Sequence, residues 1–240
     1  VKIAPEDLLV MTLAPDRGGD AREVVIQLMP EPFSQGWVTN IRTLARAGWY
    51  DGISVNRVQD NYVVQWGDPN YDNPEAEGAA KALPEGLRVM EESDYVDVVR
   101  AAEPGDDKIV LWHPRPDLRD IYAESATFSK GWPIGIATTP DTKAVTRWPV
   151  HCYGMVGVGR GMSPDTGSGA ELYTVIGHAP RHLDRNIALV GRVVSGIEHL
   201  SSLPRGSGAL GFYTSEEADE RTPIRSIRVA SDLPAAEQPE

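Results

Sequence analysis

The sequence predicts a mainly β fold, a barrel of many short strands accompanied by two helices. Three observations carry this: short apolar runs at strand length, frequent punctuation by 23 Gly and 19 Pro in 240 residues, and helical spacing in only two places. Residues 24–29 (VVIQLM) read as an early strand ended by Pro30 and Pro32. Trp37, Ile41, Leu44 and Ala45 then recur at helical spacing over 36–47, with Gly48 as the stop. Ile53 and Val55 alternate with Ser54 and Asn56, the period of a half-buried strand, and continuing that period puts Arg57 in the apolar row. Gln59-Asp60-Asn61 is turn chemistry, and residues 62–65 read as the returning strand of a hairpin. Further strands are expected at 155–158, 172–176 and 187–194. A short second helix starts within 196–200, and a closing strand alternates over 224–229.

A chain of this length with 41% hydrophobic residues supports one sizeable core, so a single domain over 1–240 is expected. Its formal net charge of −12 argues against nucleic-acid binding, which needs clustered Lys and Arg to release counterions. No apolar run approaches the roughly 18 residues of a spanning helix, so membrane insertion is not expected. Cys152 is the lone cysteine and excludes an intrachain disulfide. The Ala-Pro-rich termini and the starting Val1 fit a removed signal peptide or a trimmed chain.

Residues of about 70–149 form an insertion within this domain. They hold Trp112, Trp132 and Trp148, three of six tryptophans, and linkers are poor in large aromatics. The segment is therefore expected to be ordered and packed on the barrel, with a short helix over 75–81 and a strand over 108–112. Pro114, Pro116, Pro133 and Pro149 make the rest irregular by expectation. Its role is open between elaboration and shaping of a substrate groove.

Several apparent motifs carry little. Asp165-Thr166-Gly167-Ser168 spells an acid-protease motif, but that chemistry needs two carboxylates sharing a proton and the chain has one copy. The glycines at 157, 159 and 161 miss the dinucleotide fingerprint, which wants its third glycine where Met162 stands. His178 and His182 are four apart, yet Ala179-Pro180 breaks the helix that would align them; His113, His151 and Cys152 add no metal spacing. These histidines read as surface or groove residues, and no metal or other cofactor is expected. Arg57 is different. An arginine at the edge of an apolar surface is costly unless its donors are satisfied, and Gln65 across the turn is placed to accept from it.

Two separated blocks carry a family resemblance. The first is Tyr50-Asp51-Gly52, Arg57, Tyr62, Gln65 and Gly67-Asp68-Pro69. The second is Glu171-Leu172-Tyr173, Leu183-Asp184-Arg185-Asn186 and Leu189-Val190-Gly191-Arg192-Val193. Together they resemble the signature of the cyclophilins, peptidyl-prolyl cis-trans isomerases, over most of 22–69 and 150–230. The resemblance implies a closed antiparallel eight-stranded barrel capped by two helices, with Arg57 and Gln65 as catalytic residues. It further implies Tyr62, Val63, Gly159, Arg160, Glu171, Tyr173, His182 and Leu183 as substrate-binding residues. Departures are Asn56 for His, Trp66 for Gly, Glu171 for Gln, and Arg181 or His182 for the usual Trp. The last implies weak cyclosporin binding. The tyrosines at 62 and 173, where Phe is usual, imply a wetter pocket. The expected partners are proline-containing peptides and unfolded protein clients, and the expected state is a monomer. Acidic secreted relatives in Gram-negative bacteria imply a periplasmic or secreted location, with the cytoplasm as alternative. A catalytically weak peptide-binding module is the alternative function, favoured by Asn56, Trp66 and Glu171.

Overall fold

The computed structural model describes residues 2–71, 76–99, 120–139 and 144–239. Strand β1 (Leu8–Leu13) is buried on both faces, Leu9, Met11 and Leu13 inside the main core and Leu8 and Val10 in a smaller cluster with Val25 and Ala230. This continuous apolar run has no alternation to mark it as a strand. It pairs with β2 (Arg22–Leu28). Helix α1 (Gln35–Arg46) buries Trp37, Ile41, Leu44 and Ala45, the residues at helical spacing. It stops as expected at Gly48, whose φ of 63° lets Gly48 N–H reach Ala45 O and Trp49 N–H reach Leu44 O.

β3 (Ser54–Val58) and β4 (Val63–Gly67) form the expected hairpin, with Asn61 left-handed at its turn. Beyond it lie β5 (Asp97–Val99), β6 (Ser125–Ser129), β7 (Trp132–Thr138) and β8 (Val145–Pro149). β9 (Met155–Val158), β10 (Leu172–Val175), β11 (Leu189–Ser195), α2 (Glu198–Ser201) and β12 (Ile224–Val229) follow. Eight strands join in the order β12-β1-β2-β11-β9-β10-β4-β3, all antiparallel. Bonds from Val55 N–H to Thr222 O and from Ile224 N–H to Ile53 O bring the two edges together, so the sheet closes into the expected barrel. Both helices add to its core through Trp37, Ile41, Leu44 and Leu200.

Over its described residues, the segment of about 70–149 is more regular than its prolines imply. β5, β8, β7 and β6 make a second antiparallel sheet in that order. Pro133 sits at the second residue of β7 and Pro149 at the last of β8, so neither interrupts a ladder midway. Trp148 crosses Gly135 on the neighbouring strand, where a Cβ would come within 2.6 Å of the indole. The sheet is packed on the barrel: Trp132 and Ile134 belong to the main core, and the guanidinium carbons of Arg192 and Arg185 lie 4.3 Å and 4.4 Å from the rings of Trp132 and Trp148. The helix expected at 75–81 does not form over its described residues 76–81. Side chains take its backbone donors instead, Gly78 N–H going to Asn70 Oδ1 and Lys81 N–H to Asp68 Oδ2. The strand expected at 108–112, with Trp112 and His113, lies outside the described residues.

Candidate functional site

Which way Arg57 faces is decided by one extra residue. Val55 pairs with Trp66 and Arg57 with Gln65, so two positions on β3 oppose one on β4 and Asn56 is the bulged residue. Parity reverses there. Val55, Val58, Val64 and Trp66 point into the core, whereas Arg57 shares the outer face with Gln65 and Val63. The alternation that put Arg57 in the apolar row is corrected by this bulge. Asn56 itself is buried: its Oδ1 accepts from Ser54 Oγ at 2.6 Å and its Nδ2 donates to Gly67 O at 3.1 Å. Asn56 and Trp66 therefore do not line the outer face, and these two departures lend no support to a weakened site.

The Arg57 guanidinium is clamped. Nε donates to Leu210 O at 2.7 Å, one terminal nitrogen to Gln65 Oε1 at 3.2 Å and the other to Gln59 Oε1 at 2.5 Å. Its central carbon lies 5.7 Å from the Tyr62 ring centroid and 5.5 Å from that of Phe212. Among the described residues these bonds leave a second hydrogen on each terminal nitrogen. Burial pulls the Arg57 pKa below its usual value, but an arginine has so much room that the charge stays.

Beside the fork opens a groove of about 300 Å³. Val63 and Tyr173 pack together with Val175, and Tyr62, Leu183 and Ile187 close over them to make an apolar seat. Gly159 and Arg160 form the far wall. Arg160 is committed to its own chain, donating to Asn186 O, Asn186 Oδ1 and Gly161 O. Two expected groove residues stand elsewhere. Glu171 is buried opposite Gly67, whose missing side chain leaves room for the carboxylate; a Cβ there would fall 1.8 Å from Oε1. It borders a small adjoining cavity with Gln65 and Gly159 rather than the groove itself. His182 is exposed and stacks behind Tyr62, with ring centroids 6.1 Å apart and 13° between planes.

The extra hydroxyl of Tyr173 does not wet the groove. It runs across Gly157, where a Cβ would meet it at 2.3 Å, and bonds His151 Nε2 at 2.8 Å inside the protein. His151, expected at the surface or groove, is fully buried. Asp184 Oδ1 accepts from its backbone N–H at 3.0 Å and from its Nδ1 at 2.9 Å, so the network assigns Nε2 as the acceptor of the phenol proton. Burial lowers the His151 pKa despite Asp184. Burial opposes the Asp184 charge too, but bonds from His151 and Arg181 outweigh it and hold the carboxyl below its usual range.

These directions set a pH dependence. The groups facing His151 are Asp184, Tyr173, Arg181 and His182. As pH falls through about 6.5 the unfolded chain protonates this histidine before the fold does, so stability drops with acidification. Asp184, its folded pKa also lowered, adds a further loss across the carboxylate range. The urea midpoint is expected to be lower at pH ~5.5 than at ~7.5, and His151→Gln should flatten that difference. An equal slope in both proteins would contradict this.

Sequence reasoning missed Ile187, Leu210 and Phe212. Ile187 was legible as an apolar residue four places past Leu183. Leu210 and Phe212 come from the loop before β12, whose glycines give no periodic signal, and only the bridge between Arg57 and Phe212 brings them to the site.

Comparison with known proteins follows this geometry. The family model described as cyclophilin type peptidyl-prolyl cis-trans isomerase/CLD matches residues 19–229. Peptidyl-prolyl cis-trans isomerase B of Bacillus subtilis is 26% identical over 115 residues, 47% of this chain and 80% of that protein. Among solved structures, cyclophilin AquaCyp293 from Hirschia baltica superposes with a TM-score of 0.68 at 22% identity, covering 97% of this chain and 77% of its own. A Cryptosporidium parvum cyclophilin-type isomerase, crystallised in the presence of the dipeptide Ala-Pro, gives 0.50 at 11% identity over 92% of this chain and 97% of its own.

Proposed function

Because the chain belongs to the cyclophilin-type peptidyl-prolyl cis-trans isomerases, we propose that Arg57 drives rotation about Xaa-Pro bonds held in the groove, and that unfolded, proline-containing client segments are its substrates. Amide resonance sets the barrier at about 18–20 kcal/mol, and rotation returns a lone pair to the imide nitrogen. A fixed guanidinium beside that nitrogen, or its neighbouring carbonyl, stabilises the twisted state more than the planar one, and only that difference speeds the step. No bond is made or broken and no proton moves. The observation that supports this reading is the clamped fork with a free hydrogen on each terminal nitrogen beside the apolar seat of Val63, Tyr173, Leu183 and Ile187. The seat suits a proline ring, and Gln65 holds the fork towards it. NMR exchange spectroscopy on a short Xaa-Pro peptide tests the proposal. Catalytic amounts of the protein should bring an exchange that normally takes tens to hundreds of seconds into the range of seconds or less. An unchanged exchange rate would reject it.

A further inference from the structure

The inserted sheet and the proline seat are joined by a continuous polar chain. Asp120, just before β6, lies 2.7 Å from a terminal nitrogen of Arg181. The same guanidinium sits 5.4 Å from the ring of Tyr122 and donates through Nε to Asp184 Oδ2 at 2.6 Å. Asp184 carries His151 on its other oxygen, and His151 holds the Tyr173 hydroxyl. Tyr173 is the floor of the seat. The Asp184 and His151 side chains are almost wholly buried, so the bond between them has few competitors from water, while the Arg181–Asp120 ion pair at the outer end is only partly exposed.

Taking the isomerase reading above as its basis, we propose that His151, Asp184 and Arg181 are positioning residues for the proline seat, and that the insertion, through Asp120, sets how firmly Tyr173 is held beneath the bound ring. A phenol fixed at its hydroxyl end cannot swing into the groove, so the seat is formed before substrate arrives and binding need not order it. The effect belongs to affinity. Arg57 is clamped by Leu210, Gln65 and Gln59, none of which is a member of the relay, so the twisting step is left alone.

The test uses the full chain with Asp120→Asn, which keeps side-chain size and removes the charge, alone and combined with Tyr173→Phe. KM for an Xaa-Pro peptide should rise about three- to ten-fold in Asp120→Asn while kcat stays within about two-fold. Once Tyr173→Phe has removed the hydroxyl, Asp120→Asn should produce no further change, because the two act through one chain of contacts. The ring-flip rate of Tyr173, read by aromatic NMR, should increase in Asp120→Asn without peptide present. An unchanged KM and flip rate, or the same rise in KM with and without the hydroxyl, would overturn the coupling. Failure of the wild type to accelerate exchange would instead reject the proposed function, and the flip rate would still decide the coupling.

Discussion

Replacing Arg57 with alanine is expected to lower kcat/KM for Xaa-Pro exchange by about thirty- to a thousand-fold, the ~2–4 kcal/mol that follows loss of a preorganised transition-state donor. The loss should fall mainly on kcat, because the seat of Val63, Tyr173, Leu183 and Ile187 remains and ground-state binding with it. Arg57→Lys should not restore the rate. A lysine cannot span Leu210 O, Gln65 and Gln59 and still present hydrogens to the groove from a rigid plane. Since Arg57 lies on the outer face of a closed barrel, the variants should retain the fold, which circular dichroism and a urea melt would verify. Catalysis surviving unchanged in Arg57→Ala would remove the arginine mechanism while leaving the family membership intact.

The second large effect is on stability. Trp66 has no exposed surface and fills the barrel interior opposite Val55. Truncation to alanine leaves a cavity and is expected to cost about 3–5 kcal/mol. For a chain of this size the melting midpoint should drop by about 2–4 °C per kcal/mol lost. Glycine, the residue usual at this place in the family, should do no better, because the rest of this core has grown around an indole. Isomerase activity measured well below the melting midpoint should change far less than in Arg57→Ala, since Gln65, not Trp66, carries the outer face at that point of β4. A Trp66→Ala protein as stable as the wild type would mean that the interior collapses to fill the space.

Much of the barrel was legible in the sequence because its signals are local. The helical spacing of Trp37, Ile41 and Leu44, the Gly48 stop and the turn at 59–61 each specify geometry within a few residues. β1 was not, because a strand buried on both faces shows no alternation. The small sheet was hidden by Pro133 and Pro149, whose harmless positions at strand ends depend on a pairing register that composition does not reveal. The site divides in the same way. Arg57, Gln65, Tyr62 and Val63 sit on one hairpin and are found together, but the face they occupy depends on the Asn56 bulge, a mismatch in count between two strands. His151 and Tyr173 are far apart in sequence, and their meeting depends on the barrel closing and on Gly157 leaving a path. Phe212 reaches Arg57 only across the folded protein.

The manner in which the small sheet is fastened has a bearing on salt. Its large anchors are indoles under guanidinium groups, Trp132 beneath Arg192 and Trp148 beneath Arg185, and both tryptophans are sealed from solvent. Ions in solution screen exposed charge pairs such as Arg46 with Glu6 at the barrel surface, and Arg185 is exposed as well, but the two indoles are held chiefly by apolar burial, which carries no charge to screen. Brine that loosens the surface pairs therefore leaves this attachment in place, and the sheet stays seated across a wide range of ionic strength.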